Sequence, residues 1–279
     1  GGNGANNIAS WNGSTWSPLG SGMGGNYPYV NTLTVYNGSL VAGGDFTIAG
    51  GGSAICVASW NGSTWSPLGS GMSEGVLTLT VYDGCLVAGG DFYYAGGNIA
   101  NNIAAWDGST WSPLGSGMNS TVLALTVYDS RLVAGGGFYY AGGNRAQKIA
   151  TWNGTSWFAV GLGIEGESTP DVSALTVYDG QLIAGGDFTR AGGVDCNYIA
   201  SWDGSTWSSL GSGMGGSVPY VRALTVYDDQ LIAGGYFTTA GGVNCNYIAS
   251  WDGSTWSPLG SGMNGFVGDL IIYNAQLIV

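Results

Sequence analysis

The sequence predicts an all-β fold, a six-bladed β-propeller with four antiparallel strands per blade. Three observations predict it. Six Trp pairs, Trp11/Trp16, Trp60/Trp65, Trp106/Trp111, Trp152/Trp157, Trp202/Trp207 and Trp251/Trp256, use all 12 tryptophans of the 279-residue chain. Their first members are spaced by 49, 46, 46, 50 and 49 residues, so a unit of roughly 47 residues recurs from end to end. Each unit holds four short β-rich runs separated by turns, and none shows helical periodicity.

The unit around residues 172–211 shows the elements in order. Residues 172–178, Val-Ser-Ala-Leu-Thr-Val-Tyr, alternate and are rich in β-formers, as a half-buried strand requires. Asp179-Gly180 supplies a tight turn, because both residues tolerate the positive φ that two-residue hairpin turns demand. Residues 181–189 read as a second strand, and 191–197 as a polar loop. Residues 198–202 form a third strand, Asp203 to Thr206 a turn, and residues 207–211 a fourth strand. We call these strands a, b, c and d.

Those assignments make the ends of the chain complementary. Residues 1–23 hold only strands c and d (8–11 and 16–19), whereas residues 266–279 hold only a and b (267–273 and 276–279). A closing blade shared between the N-terminal and C-terminal segments is therefore expected, since pairing would remove two raw sheet edges. Residues 1–279 are read as a single propeller domain.

The order of features resembles the kelch-type, galactose-oxidase-like propeller repeat, also seen in cortical-marker-like surface proteins. The matching residues are Tyr82-Asp83-Gly84 at the end of one strand, Leu86 to Gly90 in the next, and the Trp106/Trp111 pair flanking a turn. The resemblance implies the propeller architecture, with strand a innermost and typified by residues 174–178. It does not carry over copper chemistry, which needs imidazole ligands, because the chain has no His.

Composition narrows the functional classes. With 17 acidic and 5 basic residues the net charge is -12, which repels phosphate backbones and anionic lipid. No nucleic-acid partner and no membrane insertion are expected, the latter because no apolar run approaches membrane-spanning length. The lack of His removes histidine-dependent triads, and no enzyme activity is expected. The abundance of Gly and Trp with few Lys suits an extracellular or cell-surface protein. The twelve tryptophans are read as structural, with the paired glycines of strand b leaving room for large rings. Exposed sugar-stacking platforms are the lesser reading of the same residues.

Candidate sites lie in carboxylates and loops. Asp45, Asp91 and Asp187 follow Gly-Gly in three units, where Gly137 and Tyr236 stand in two others; a Ca²⁺ ring is the lesser reading and local turn bonding the preferred one. Glu165, Glu167 and Asp171 cluster in the longest insertion and are read as solvated rather than as a glycosidase pair. Cys56, Cys85, Cys196 and Cys245 lack metal-binding spacing and are read as small buried or loop thiols. The Asn-X-Ser/Thr sites at Asn12, Asn37, Asn61, Asn119 and Asn153 are explained by turn geometry, with Asp substituting at Asp107, Asp203 and Asp252. No cofactor is expected.

The a–b and c–d turns barely differ between units, whereas the d–a and b–c loops vary and emerge on one face of a propeller. That face carries Tyr27, Tyr29, Tyr93, Tyr94, Tyr139, Tyr140, Tyr220 and Phe266 with Arg145, Lys148, Arg190 and Arg222. The expected function is a structural or adhesive assembly module, with protein neighbours or self-assembly as partners. The alternative is a multivalent carbohydrate-binding propeller with glycan partners. A carboxylate-dependent glycoside-active enzyme comes last.

Overall fold

The computed structural model describes residues 4–166 and 170–279, and Glu167 lies outside the described residues. The chain divides into two compact units, Gly1–Val122 and Leu123–Val279. The described residues contain strands and turns and no helix. All strand pairs are antiparallel, as the hairpin-forming turns dictate.

Unit 1 carries two four-stranded sheets in the order a-b-c-d. One is Tyr29–Tyr36, Ser39–Asp45, Val57–Trp60 and Trp65–Pro67; the other is Val76–Tyr82, Cys85–Gly90, Ile103–Trp106 and Trp111–Pro113. Unit 2 carries three more, whose first strands are Val122–Tyr128, Val172–Tyr178 and Tyr220–Tyr227. The b–c register repeats: Leu182 faces Trp202, Ile183 faces Ser201, Ala184 faces Ala200 and Gly185 faces Ile199. Strand b is buried on both faces, and its small Ala-Gly-Gly end is what lets neighbouring chains approach.

Two expectations about topology are corrected here. The terminal hairpins, expected in a four-stranded sheet, each make a two-stranded one: Ala9–Trp11 with Trp16–Pro18, and Ile271–Tyr273 with Gln276–Ile278. The b–c connections, read as polar loops, are in fact two-residue hairpins such as Arg190–Ala191 with Val194–Asp195.

The paired glycines of strand b do leave room for large rings, but of phenylalanine rather than tryptophan: a Cβ on Gly90 or Gly186 would lie 3.1 or 3.2 Å from Cδ1 of Phe92 or Phe188. A Cβ on Gly43 or Gly185 would lie 2.5 Å from Cγ1 of Val76 or Val221, the strand-a valine of the following repeat. A Cβ on Gly44 or Gly186 would strike the carbonyl of Tyr29 or Asp171 within the same sheet. The tryptophans lie elsewhere, over the b–c hairpin turn: a Cβ on Gly50, Gly96 or Gly241 would sit 3.0 Å from Cβ of Trp65, Trp111 or Trp256. The second Trp of each interior pair is buried, and indole Nε1 groups donate to carbonyls of the preceding repeat. Trp65 reaches Leu19 at 2.9 Å, Trp111 reaches Leu68 at 2.9 Å, Trp207 reaches Val160 at 3.1 Å and Trp256 reaches Leu210 at 2.9 Å. An apolar ring with one satisfied polar edge joins repeat to repeat.

Burial excludes the lesser reading at one tryptophan. Trp157 is 1% exposed, so its ring has no face open to a sugar and cannot act as a stacking platform. The Trp152 ring lies 5.2 Å away, centroid to centroid, and a Cβ on Gly142 would sit 3.2 Å from Trp157 Cβ, so both a ring partner and the b–c turn enclose it. The opposite holds at the start of the chain, where Trp11 and Trp16 are exposed and are not core.

A backbone clip fixes the start of strand c. Cys56, Asn102, Lys148, Tyr198 and Tyr247 all have φ between 63° and 77°. Their N–H groups donate to Phe46, Phe92, Phe138, Phe188 and Phe237, and their carbonyls accept from Gly44, Gly90, Gly136, Gly186 and Gly235. Both main-chain groups of a left-handed residue are thus satisfied, which holds a conformation that side chains ordinarily avoid.

Candidate functional site

The d–a and b–c segments meet within each unit. Met23–Gly24 pairs with Ile48–Ala49, Ile164–Glu165 with Arg190–Ala191, and Met214–Gly215 with Thr239–Ala240, so these three d–a connections each add an outer strand to a b–c hairpin. Met72 makes the equivalent bridge to Ala95. Of the sequence-predicted aromatics, Tyr94 and Tyr140 stand in b–c hairpins, and Tyr29 and Tyr220 open strand a of their four-stranded sheets. Tyr27 is 86% exposed and Phe266 63% exposed, and Tyr29, Tyr93, Tyr94, Tyr139 and Tyr140 are also exposed. Tyr93 and Tyr94 meet edge to face, with ring centroids 4.9 Å apart.

Two clefts open where strand a begins and strand b ends. The unit 1 cleft, about 390 Å³, is lined by Tyr27, Tyr29, Asp45, Cys56, Ser73 and Glu74 among others. The unit 2 cleft, about 320 Å³, is lined by Asp171, Ser173, Asp187, Tyr220, Arg222 and Phe266. Ser173 and Arg222 occupy bulges in their strands, between the paired residues Val172 and Ala174 and between Val221 and Ala223. A bulge frees one residue from the ladder and re-aims its side chain. Ser173 donates to Asp171 Oδ1 at 2.7 Å, and Tyr220 stacks on Tyr236 at 5.9 Å.

Electrostatics in these clefts follow from burial. The Asp187 carboxyl is raised by desolvation and by the Asp171 charge, against lowering by the Asp171 backbone and by Lys148. Asp91 is raised chiefly by desolvation, with Asp45 adding to it. Among the described residues no three His, Cys, Asp or Glu side chains gather as a metal site, so Asp45, Asp91 and Asp187 are not brought together as ligands.

The basic residues separate. Lys148 is 2% exposed: its Nζ donates to the Gly137 carbonyl at 2.8 Å and lies 3.7 Å from the Tyr139 ring centroid. Gly137 stands where Asp45, Asp91 and Asp187 follow Gly-Gly in other repeats. Arg190 pairs with Asp195 at 3.0 Å and Glu165 at 3.7 Å, bracing its own hairpin. Arg145 donates to Gln147 at 2.7 Å on the surface. Of the four, Arg222 lines the cleft. Sequence reading passed over Ser173, because a bulge leaves no mark on the alternating pattern of residues 172–178.

The polar turns are saturated. Oδ1 of Asp203 accepts from the N–H groups of Ser205 at 2.7 Å and Thr206 at 2.8 Å, and Asn61 makes the same pair of bonds at 2.9 Å. The backbone N–H groups and hydroxyls around Asp107, Asp203 and Asp252 hold their carboxyls well below the usual range. All four thiols are free; burial pushes Cys56 and Cys245 up to about 11 and Cys196 up to about 12.

Comparison with known proteins adds the architecture. The model of a domain of unknown function (DUF5122) beta-propeller matches residues 179–200 and 228–249, each stretch running from the a–b turn to the start of strand c. No curated protein matches the sequence. The fold is similar to that of the computationally designed Ika8 protein, at 18% identity and TM-score 0.55, covering 92% of this chain and 69% of that one. It is also similar to the extracellular domain of the putative hybrid two component system BT4673 from B. thetaiotaomicron, at 9% identity and TM-score 0.60. That match covers 87% of this chain, which spans 30% of the other. A chain of the mitotic checkpoint complex matches at 14% identity and TM-score 0.57, covering 88% of this chain and 69% of its own. The chain is similar to β-propeller proteins in an all-β fold of repeated antiparallel sheets.

Proposed function

We propose that this protein is a non-catalytic, extracellular or cell-surface propeller module that assembles with protein neighbours, including copies of itself, through its d–a and b–c segments. The observation that carries this reading is the set of solvent-facing aromatics along the d–a and b–c segments, Tyr27, Tyr29, Tyr93, Tyr94 and Phe266 foremost, of which Tyr29 and Tyr94 stand in paired strands. Exposed tyrosines on rigid backbone give contact area at low entropic cost. The kelch-type likeness and a count of six blades belong to the same reading, supported by the six Trp pairs.

Sedimentation velocity tests it. At net charge -12 copies repel, so association is expected to strengthen as salt screens that charge. A Tyr27→Ser, Tyr93→Ser, Tyr94→Ser variant is expected to abolish it. A wild-type chain that stays monomeric across concentration and salt rejects the self-assembly arm. A second reading, multivalent carbohydrate binding, is favoured by the aromatic and carboxylate lining of the clefts and by near-identical repeats.

A further inference from the structure

The constant turns, at the other ends of the strands from the clefts above, form grooves of their own in unit 2. One, about 290 Å³, lies between consecutive repeats and is lined by Tyr128, Asp129, Arg131, Trp202 and Gly204 among others. The next, about 200 Å³, has Tyr178, Asp179, Gln181, Trp251 and Gly253 at the equivalent places. In each, the phenol oxygen of one repeat stands over the c–d turn glycine of the following one, at 3.7 Å from a Cβ built on Gly204 and 3.8 Å from one built on Gly253. Such a glycine leaves the groove floor open.

The polar groups of these grooves are uncommitted. Tyr36 OH donates to the Gly84 carbonyl at 3.2 Å, and Tyr227 OH donates to Ala275 at 3.3 Å. No hydrogen bond of Tyr128 OH or Tyr178 OH is found among the described residues, and the carboxylates of Asp129 and Asp179 likewise make none. The neighbouring Asp203 and Asp252 are spent on their own turns. Each groove therefore offers one phenol that donates and accepts, one carboxylate that only accepts, one amide or guanidinium side chain, and a half-buried indole. Hydroxyl groups satisfy a carboxylate, a phenol and an amide together, and the apolar face of a sugar ring satisfies the indole.

We propose that the Tyr128–Trp202 and Tyr178–Trp251 grooves are equivalent saccharide-binding subsites, repeated along the chain. This rests on the carbohydrate-binding reading and gives it a location away from the variable loops. A row of like sites favours a polymer of like sugar units, because each weak contact raises the effective concentration at the next.

The test uses the full chain with methyl glycosides of glucose, galactose, mannose and N-acetylglucosamine, and a short oligomer of each, followed by tryptophan fluorescence and calorimetry. Saturable binding is expected for at least one sugar, tighter for the oligomer. The Tyr128→Phe, Tyr178→Phe double variant is expected to weaken it by about tenfold. Tyr36→Phe and Tyr227→Phe, whose hydroxyls are already bonded, are expected to stay within about twofold. Asp129→Asn with Asp179→Asn is a second variant that keeps the turn, since the first repeat carries Asn37 at that place with φ 47°. Absence of saturable binding by every sugar overturns both the subsites and the carbohydrate reading. Binding that survives both double variants unchanged overturns the subsites alone.

Discussion

Residues 11–23 and 60–72 have the same sequence, and the structure folds them locally in the same way but buries them differently. Both Trp pairs have ring centroids 5.4 Å apart, tilted by 43° and 46°. Asn12 and Asn61 accept the same backbone bonds, at 2.8 to 2.9 Å. Yet Trp11 and Trp16 are 39% and 49% exposed, whereas Trp65 is 8% exposed. The second copy meets the Leu19 carbonyl, which accepts from the Trp65 indole, and a b–c hairpin whose Gly50 lies against the Trp65 ring. Local sequence shapes the hairpin and the ring pair; the neighbouring repeat supplies the burial.

The largest effect should come from the tryptophans. Trp65→Ala is expected to destabilise by about 3–5 kcal/mol, and Trp16→Ala by less than about 1 kcal/mol, measured as urea midpoints at constant m-value. Equal losses would show that the terminal hairpin is packed as tightly as the interior one. A smaller contrast, about 1–3 kcal/mol, is expected for Gly185→Ala, which drives a Cβ into Val221, against a near-neutral Gly265→Ala in open space.

Turn substitutions should not distinguish the copies. Asn12→Ala and Asn61→Ala are each expected to loosen their own hairpin by about 0.5–1.5 kcal/mol, read from amide exchange at Ser14 and Ser63. The Asp turns add a pH signature that the Asn turns lack. Because the folded pKa of Asp203 is depressed, its contribution is complete above the ordinary carboxylate pKa of about 4 and is lost as pH falls from there through the folded value. Asp203→Asn should flatten that acid limb in a fluorescence-monitored titration. The smallest effect is kinetic: Cys85, half-buried, should react with a thiol reagent before Cys56, Cys196 and Cys245, whose raised pKa values leave almost no thiolate at neutral pH.

Strands a to d and their turns were legible because alternation and Asp-Gly or Asn-Gly pairs encode them locally. The outer hairpins were not, since strands as short as Tyr94–Ala95 and Asn98–Ile99 carry no period to read. The valines that seat on the strand-b glycines were hidden for a different reason, being contacts between repeats. The same reason hid the contrast between Trp16 and Trp157, which hold equivalent places in the repeat and differ in what surrounds them. The aromatics of the variable loops could be named from sequence, but the bulges that aim Ser173 and Arg222 could not. Lys148 was read as a loop cation because its repeat position gives no hint that its ammonium turns inward to the Gly137 carbonyl. The grooves by Tyr128 and Tyr178 escaped notice because their residues hardly vary, and attention to variation looks past constant surfaces.

The left-handed residue that opens strand c has both its main-chain groups bonded, so its backbone geometry does not depend on which of several side chains it carries. Cysteine, asparagine, lysine and tyrosine all stand there with the same backbone geometry. Each repeat thus carries one address at which a thiol, an amide, an ammonium or a phenol can be set into the same ladder, as the Lys148 bond to the Gly137 carbonyl illustrates.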